Sequence, residues 1–96
     1  MLRQYEVMYI LHPELDAEKT ESIIERFKGM IEQEGGEVTK IDRWGKRRFA
    51  YEIKKLREGY YVVMNFKAKA ETAQELDRLL RISDDVVRHI VIREDK

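Results

Sequence analysis

Ninety-six residues, 43% hydrophobic and 40% charged, suffice for one modest core, are too apolar for a disordered chain, and contain no uninterrupted apolar run near the ~20 residues that span a bilayer. The absence of cysteine removes disulfides, thiolate nucleophiles and cysteine metal sites together, and the opening Met1-Leu2-Arg3-Gln4-Tyr5-Glu6 lacks the apolar stretch of a secretory leader. A single cytoplasmic domain over residues 1–96 is the expectation, and its net charge of zero is unevenly spread: residues 1–36 carry 4 basic and 8 acidic side chains, residues 37–57 carry 8 and 3, and residues 58–96 carry 7 and 8.

Tyr5, Val7, Tyr9 and Leu11 alternate with Glu6, Met8 and Ile10, a period of two that reads as a strand with one stronger apolar face. His12-Pro13-Glu14 breaks it, because proline lacks a backbone donor and restrains its predecessor. Asp16 then stands in the capping position of a helix over about 17–34. There Ile23, Ile24, Phe27, Met30 and Ile31 form one stripe, and Gly35-Gly36 is a stop. Gly29 inside this helix costs roughly 1 kcal/mol against alanine, which close packing on a neighbour would explain. A second strand runs from Glu37 past Trp44 to Ile53, with Gly45 marking a bulge or bend. Lys54-Lys55-Leu56-Arg57-Glu58-Gly59 is read as the turn of a hairpin into a third strand, Tyr60 to Lys67. Thr72 with Glu75 matches a capping box ahead of a helix ending near Ile82. Val86 to Arg93 reads as the last strand, with Glu94-Asp95-Lys96 as a polar end.

The order strand, helix, strand, strand, helix, strand predicts an α+β, ferredoxin-like βαββαβ sandwich: a four-stranded antiparallel sheet, two helices on one face, the first and third strands central. Val7, Tyr9, Ile23, Phe27, Ile31, Val62, Met64, Phe66, Leu76 and Leu80 are the expected core. Met8, Ile10, Tyr61 and Val63 fall on the uncovered face, where apolar area signals a partner. The last strand offers two apolar sides, Val87, His89, Val91 and Val86, Ile90, Ile92, and the pattern does not choose between them.

No convergent catalytic set is legible. The only serines are Ser22 and Ser83, the only histidines His12 and His89, and no phosphate-cradling glycine loop or metal-ligand spacing occurs. His89 reads as a packed strand histidine rather than a base. No catalytic residue, metal, cofactor, membrane or small-molecule substrate is expected. The cations Arg43, Lys46, Arg47, Arg48, Lys54, Lys55 and Arg57 are different, because they cluster in one strand and hairpin among Trp44, Phe49 and Tyr51. Such a segment offers charge to phosphates and flat faces to bases. Adjacent Arg47 and Arg48 must point to opposite faces. A solubilising hairpin without a partner explains charge alone. A regulatory or small-molecule-binding ferredoxin-like domain stays open as an alternative, since the fold hosts many functions. An acylphosphatase-like hydrolase ranks last, because His12-Pro13-Glu14-Leu15-Asp16 supplies no anion cradle.

Four segments carry a family likeness: Arg3-Gln4-Tyr5-Glu6, then Trp44-Gly45-Lys46-Arg47-Arg48-Phe49-Ala50-Tyr51-Glu52-Ile53, Glu58-Gly59-Tyr60-Tyr61, and Asp85-Val86-Val87-Arg88-His89. In this order, and across the whole chain, the sequence resembles the bacterial small-subunit (30S) ribosomal protein S-six family. The resemblance implies a structural, non-catalytic ribosomal protein that binds the central domain of 16S ribosomal RNA with ribosomal protein S-eighteen during 30S assembly. By position it points to Arg3, Lys46, Arg47, Arg48 and, more weakly, Arg88 as RNA or partner contacts; Arg43, Trp44, Lys54, Lys55 and Arg57 complete the candidate set. Family members often have proline where this chain has Glu52, which leaves the local edge strand less rigid. Some carry a long acidic C-terminal tail modified by added glutamates, and that modification is not carried over to Glu94-Asp95-Lys96.

Overall fold

The computed structural model describes residues 2–94, so Met1 and, from the expected polar end, Asp95 and Lys96 lie outside the described residues. In chain order the elements are β1 (Arg3–Leu11), α1 (Ala17–Gln33), β2 (Glu37–Ile53), β3 (Leu56–Ala68), α2 (Ala70–Ile82) and β4 (Val86–Arg93). The strand order is β2-β3-β1-β4 with every neighbouring pair antiparallel. This is the expected ferredoxin-like βαββαβ sandwich, with β1 and β3 in the centre.

Alternation accounts for the central strands. Tyr5, Val7 and Tyr9 of β1 lie opposite Phe66, Met64 and Val62 of β3, and all six belong to the core. Ile23, Ile24, Phe27 and Ile31 of α1 and Ala73, Leu76 and Leu80 of α2 close over them. Tyr5 stacks on Phe66 at 5.4 Å between ring centroids, and Tyr9 meets Phe27 edge-on at 5.5 Å. The Tyr9 hydroxyl donates to Met64 Sδ at 3.9 Å. Burial raises its pKa well above the ordinary tyrosine value, because a phenolate there would lose its hydration.

The local signals hold in part. Asp16 caps α1, its side chain accepting from the Lys19 amide at 2.7 Å. Thr72, expected as a cap, is instead buried inside the first turn of α2, which starts at Ala70 after Lys69. That start puts Thr72, Ala73, Leu76 and Leu80 on one buried stripe, and burial of the stripe overrides the capping pattern. Gly29 packs on no neighbour, since a Cβ there would meet nothing within 4 Å. The hairpin turn is two residues rather than six: Lys54 and Lys55 both take left-handed φ, 51° and 67°, and Ile53 pairs directly with Leu56. Two consecutive positive φ values match the twist of the flanking strands, so β3 starts four residues earlier than the sequence pattern suggests.

Candidate nucleic-acid interface

β2 and β3 outrun the rest of the sheet. The last residue of β1, Leu11, pairs with Tyr60, so Leu56–Gly59 and the part of β2 beside them project as an arm. The register of β2 shifts between Val38 and Lys40, between Arg43 and Gly45, and again in the arm between Arg48 and Ile53. The first shift lets Val38 and Ile41, three apart, both pack against the core. At the second, Gly45 takes φ +81°, a left-handed conformation that favours glycine. Before the shift Asp42 lies opposite Val63 on the face without helices; after it Arg47 lies on that same face, opposite Gly59.

The second bulge gathers aromatics. Trp44 stacks on Tyr61 with ring centroids 6.1 Å apart and planes 13° from parallel, and Phe49 meets Tyr61 edge-on at 6.2 Å. Trp44 Nε1 donates to Asp42 Oδ2 at 3.2 Å, and Arg47 Cζ sits 5.4 Å from the indole centroid, within cation–π range. Ile10 and Val63, expected on an open face, do lie on the helix-free side but are buried. Gly59 is where the arm closes on the sheet: a Cβ there would collide with Ile10 Cγ2 and come within 2.9 Å of Phe49 Cζ.

The candidate cations separate. Arg43 turns to the helix face, where Nε and one Nη donate to the Glu21 carboxylate at 2.7 and 2.8 Å. Those bonds hold Glu21 below the usual carboxylate range and raise Arg43. Lys46 and Arg48 lie opposite Tyr60 and Glu58, on the other side of the arm from Arg47. Lys54 and Lys55 form the tip, and Arg57 Nε lies 3.8 Å from Glu52. The arm therefore brings Trp44, Lys46, Arg47, Arg48, Lys54, Lys55 and Arg57 together. Arg88, opposite Ile10 on β4, joins them across a cleft of about 330 Å³ that it lines with Arg48, Phe49, Tyr51 and Tyr61. Arg3, opposite Ala68 at the start of β1, stays apart by roughly 25 Å of strand.

The rest of the helix-free face is apolar at its middle and acidic at its far end. Ile90 and Ile92 are 52% and 46% exposed beside the half-buried Met8. Asn65 Nδ2 there donates to Glu94 Oε1 at 3.1 Å and Glu6 Oε2 at 3.4 Å. Val91 packs against the core while Ile90 and Ile92 face away. Val86, expected on the same side as Ile90, also joins the core, because the register of β1 against β4 shifts between Ile10 and Leu11. His89 Nε2 lies 2.8 Å from Asp77 Oδ1, while Asp77 Oδ2 accepts from Arg81 at 3.0 Å, so the histidine ties β4 to α2. Tyr51, 84% exposed, and Phe49 belong to the surface although the candidate set omits them; their alternation with Arg47 was the available signal. Among the described residues, no group of three His, Asp or Glu is placed to hold a metal, and no helix is long and apolar enough to cross a membrane.

Comparison with known proteins supplies the context for this surface. Residues 4–93 match the family model described as Ribosomal protein S6. The small ribosomal subunit protein bS6 of Desulforamulus reducens is 56% identical over 93 residues, covering 97% of this chain and 98% of that one. Its counterpart in Moorella thermoacetica is 50% identical over 92 residues, 96% and 94% of the two chains. The crystal structure of 30S ribosomal protein S6 from Thermotoga maritima superposes with a TM-score of 0.91 at 38% identity, over 98% of this chain and 89% of that one. The P2 domain of the chemotaxis kinase CheA, from a Thermotoga maritima complex with CheY, reaches a TM-score of 0.64 at 14% identity; that likeness concerns the fold alone. The match of nearly the whole chain, at half identity or better to proteins of one kind, places it in the ribosomal protein S6 family, a structural and non-enzymatic component of the small subunit of the cytoplasmic ribosome.

Proposed function

We propose that this protein binds the central domain of 16S ribosomal RNA together with ribosomal protein S-eighteen during assembly of the small subunit, with residues 1–96 acting as one domain. The observation that carries the reading is the separation of two surfaces. Lys46, Arg47, Arg48, Lys54 and Lys55 crowd an arm and have no ion-pair partner among the described residues. Met8, Ile90 and Ile92 form an apolar strip beside Arg88 on the adjoining sheet face. The arm neutralises phosphates and fixes the register of the protein on the RNA, while the strip buries apolar residues of the partner. Arg43 is committed to Glu21 and serves to brace the root of the arm on α1. Arg3, at the far end of β1, makes a separate contact.

A salt series of binding to a 16S central-domain fragment, with and without S-eighteen, tests this. Affinity falls steeply with salt and is tightest with the partner present. Replacing Lys46, Arg47 and Arg48 by alanine weakens binding and flattens the slope of log affinity against log salt by roughly 0.7–0.9 for each phosphate that is no longer neutralised. Affinity indifferent to salt, or no binding in either condition, overturns the reading.

A further inference from the structure

We propose that the cleft between the arm and β4 seats one unpaired nucleotide of the RNA, its base on Tyr51 and its phosphate on Arg88; this rests on the RNA-binding reading above. The cleft holds about 330 Å³, at the small end of ligand sites. Phe49 and Tyr61, already packed edge-on against one another, are part of its lining. Tyr51 also lines it and is 84% exposed, the most exposed large hydrophobic side chain among the described residues. No ring partner for it occurs among those residues. A free aromatic face over an aromatic-lined hollow suits a flat ring.

The charge selects what carries that ring. Arg88 of β4, opposite Ile10 on the helix-free side, lines this cleft with residues of β2 although β1 and β3 lie between the two strands. It has no ion-pair partner among the described residues. Glu52 also lines the cleft, but Arg57 lies 3.8 Å from its carboxylate, so the rim remains cationic. A nucleotide carries a planar ring beside an anion and, in the RNA the arm binds, supplies both at that spacing. It must be an unpaired one, because a continuous A-form helix keeps its bases stacked and its deep major groove closed to side chains, whereas loops and bulges splay bases out onto aromatic and arginine planes.

The test uses the full-length protein with a 16S central-domain fragment and S-eighteen across a salt series, comparing Tyr51→Ala, Tyr51→Phe and Arg88→Ala. Removing the stacking of one base weakens binding by about tenfold or more, so Tyr51→Ala shows that drop at an unchanged salt slope and Tyr51→Phe restores affinity. Arg88→Ala lowers the slope by just under one. Thermal unfolding of the free variants serves as a control, and the exposure of Tyr51 predicts an unaltered midpoint. Tight, salt-sensitive RNA binding by the parent protein that Tyr51→Ala and Arg88→Ala leave intact overturns the nucleotide seat and spares the RNA-binding reading. No RNA binding by the parent overturns both. If Tyr51→Ala weakens binding to S-eighteen alone, with no RNA present, the cleft is a protein seat and the nucleotide proposal fails.

Discussion

In the centre of the sheet Val7, Tyr9, Val62 and Met64 are wholly buried. A few residues farther along, the same β3 and its neighbour β2 carry an exposed arm of cations and aromatics. The centre follows a plain alternation in which every second side chain meets a helix. The arm departs from it four ways: a bulge at Trp44-Gly45, a further register shift between Arg48 and Ile53, a two-residue turn made of lysines, and a glycine at position 59 where a side chain would collide. Left-handed φ at Lys54 and Lys55 costs on the order of 1–2 kcal/mol each, where Asn-Gly would have cost less. The centre is built for stability, whereas the arm gives up stability to place charge at its tip.

Three measurements break or sharpen this contrast, beginning with the largest effect. Phe66→Ala removes a ring stacked on Tyr5 and opens a cavity under α1 and α2. Chemical denaturation should report a loss of about 3–5 kcal/mol, against less than about 0.5 kcal/mol for Tyr51→Ala on the arm. A comparable loss at Tyr51 would mean that the arm is part of the cooperative core. Gly59→Ala lies at the junction. The new methyl must displace Ile10 or the Phe49 ring, so about 1–3 kcal/mol should be lost, with the Trp44 fluorescence shifting as the aromatic cluster repacks.

The smallest effect is read against pH. Tyr9 has a raised folded-state pKa, so its contribution is fully present below the unfolded tyrosine pKa of about 10. It declines as pH rises past that value, because only the unfolded chain then releases the proton. Its slope is at most about 1.4 kcal/mol per pH unit. Tyr9→Phe removes this alkaline slope and leaves stability near neutral pH little changed, which unfolding midpoints at pH 8 and above 10 will show.

The sequence was most readable where one period governed a whole element. The element order, the core positions from Val7 to Leu80 and the central placing of β1 and β3 all follow from periods of two and 3.6. It was less readable where spacing broke. Val38 and Ile41, three apart in one strand, were a bulge signal that plain alternation passes over. Thr72 satisfied a local capping rule that burial of the α2 stripe overrode. Within the candidate site, the clustering of Trp44, Arg47 and the lysine tip was legible, as was the opposition of Arg47 and Arg48. Arg43 was not, because its partner Glu21 is 22 residues away on another element. Nor was the meeting of Arg88 with the arm, which depends on how the arm sits over β4.

The bulge at Gly45 also governs what changes the arm can tolerate. In a strand the side a residue faces is a matter of counting, and Gly45 adds one to the count. Straightening the bulge at unchanged length, as a residue that cannot hold φ +81° at position 45 would do, would act as a frame shift in space. Arg47 and Phe49 would leave the helix-free side, Lys46 and Arg48 would replace them, and Tyr61 would be without its ring partners although none of those residues had been mutated. Removing one residue at the bulge would let the ladder close with Arg47 still opposite Gly59, whereas losing the bulge at constant length exchanges the two faces of the arm.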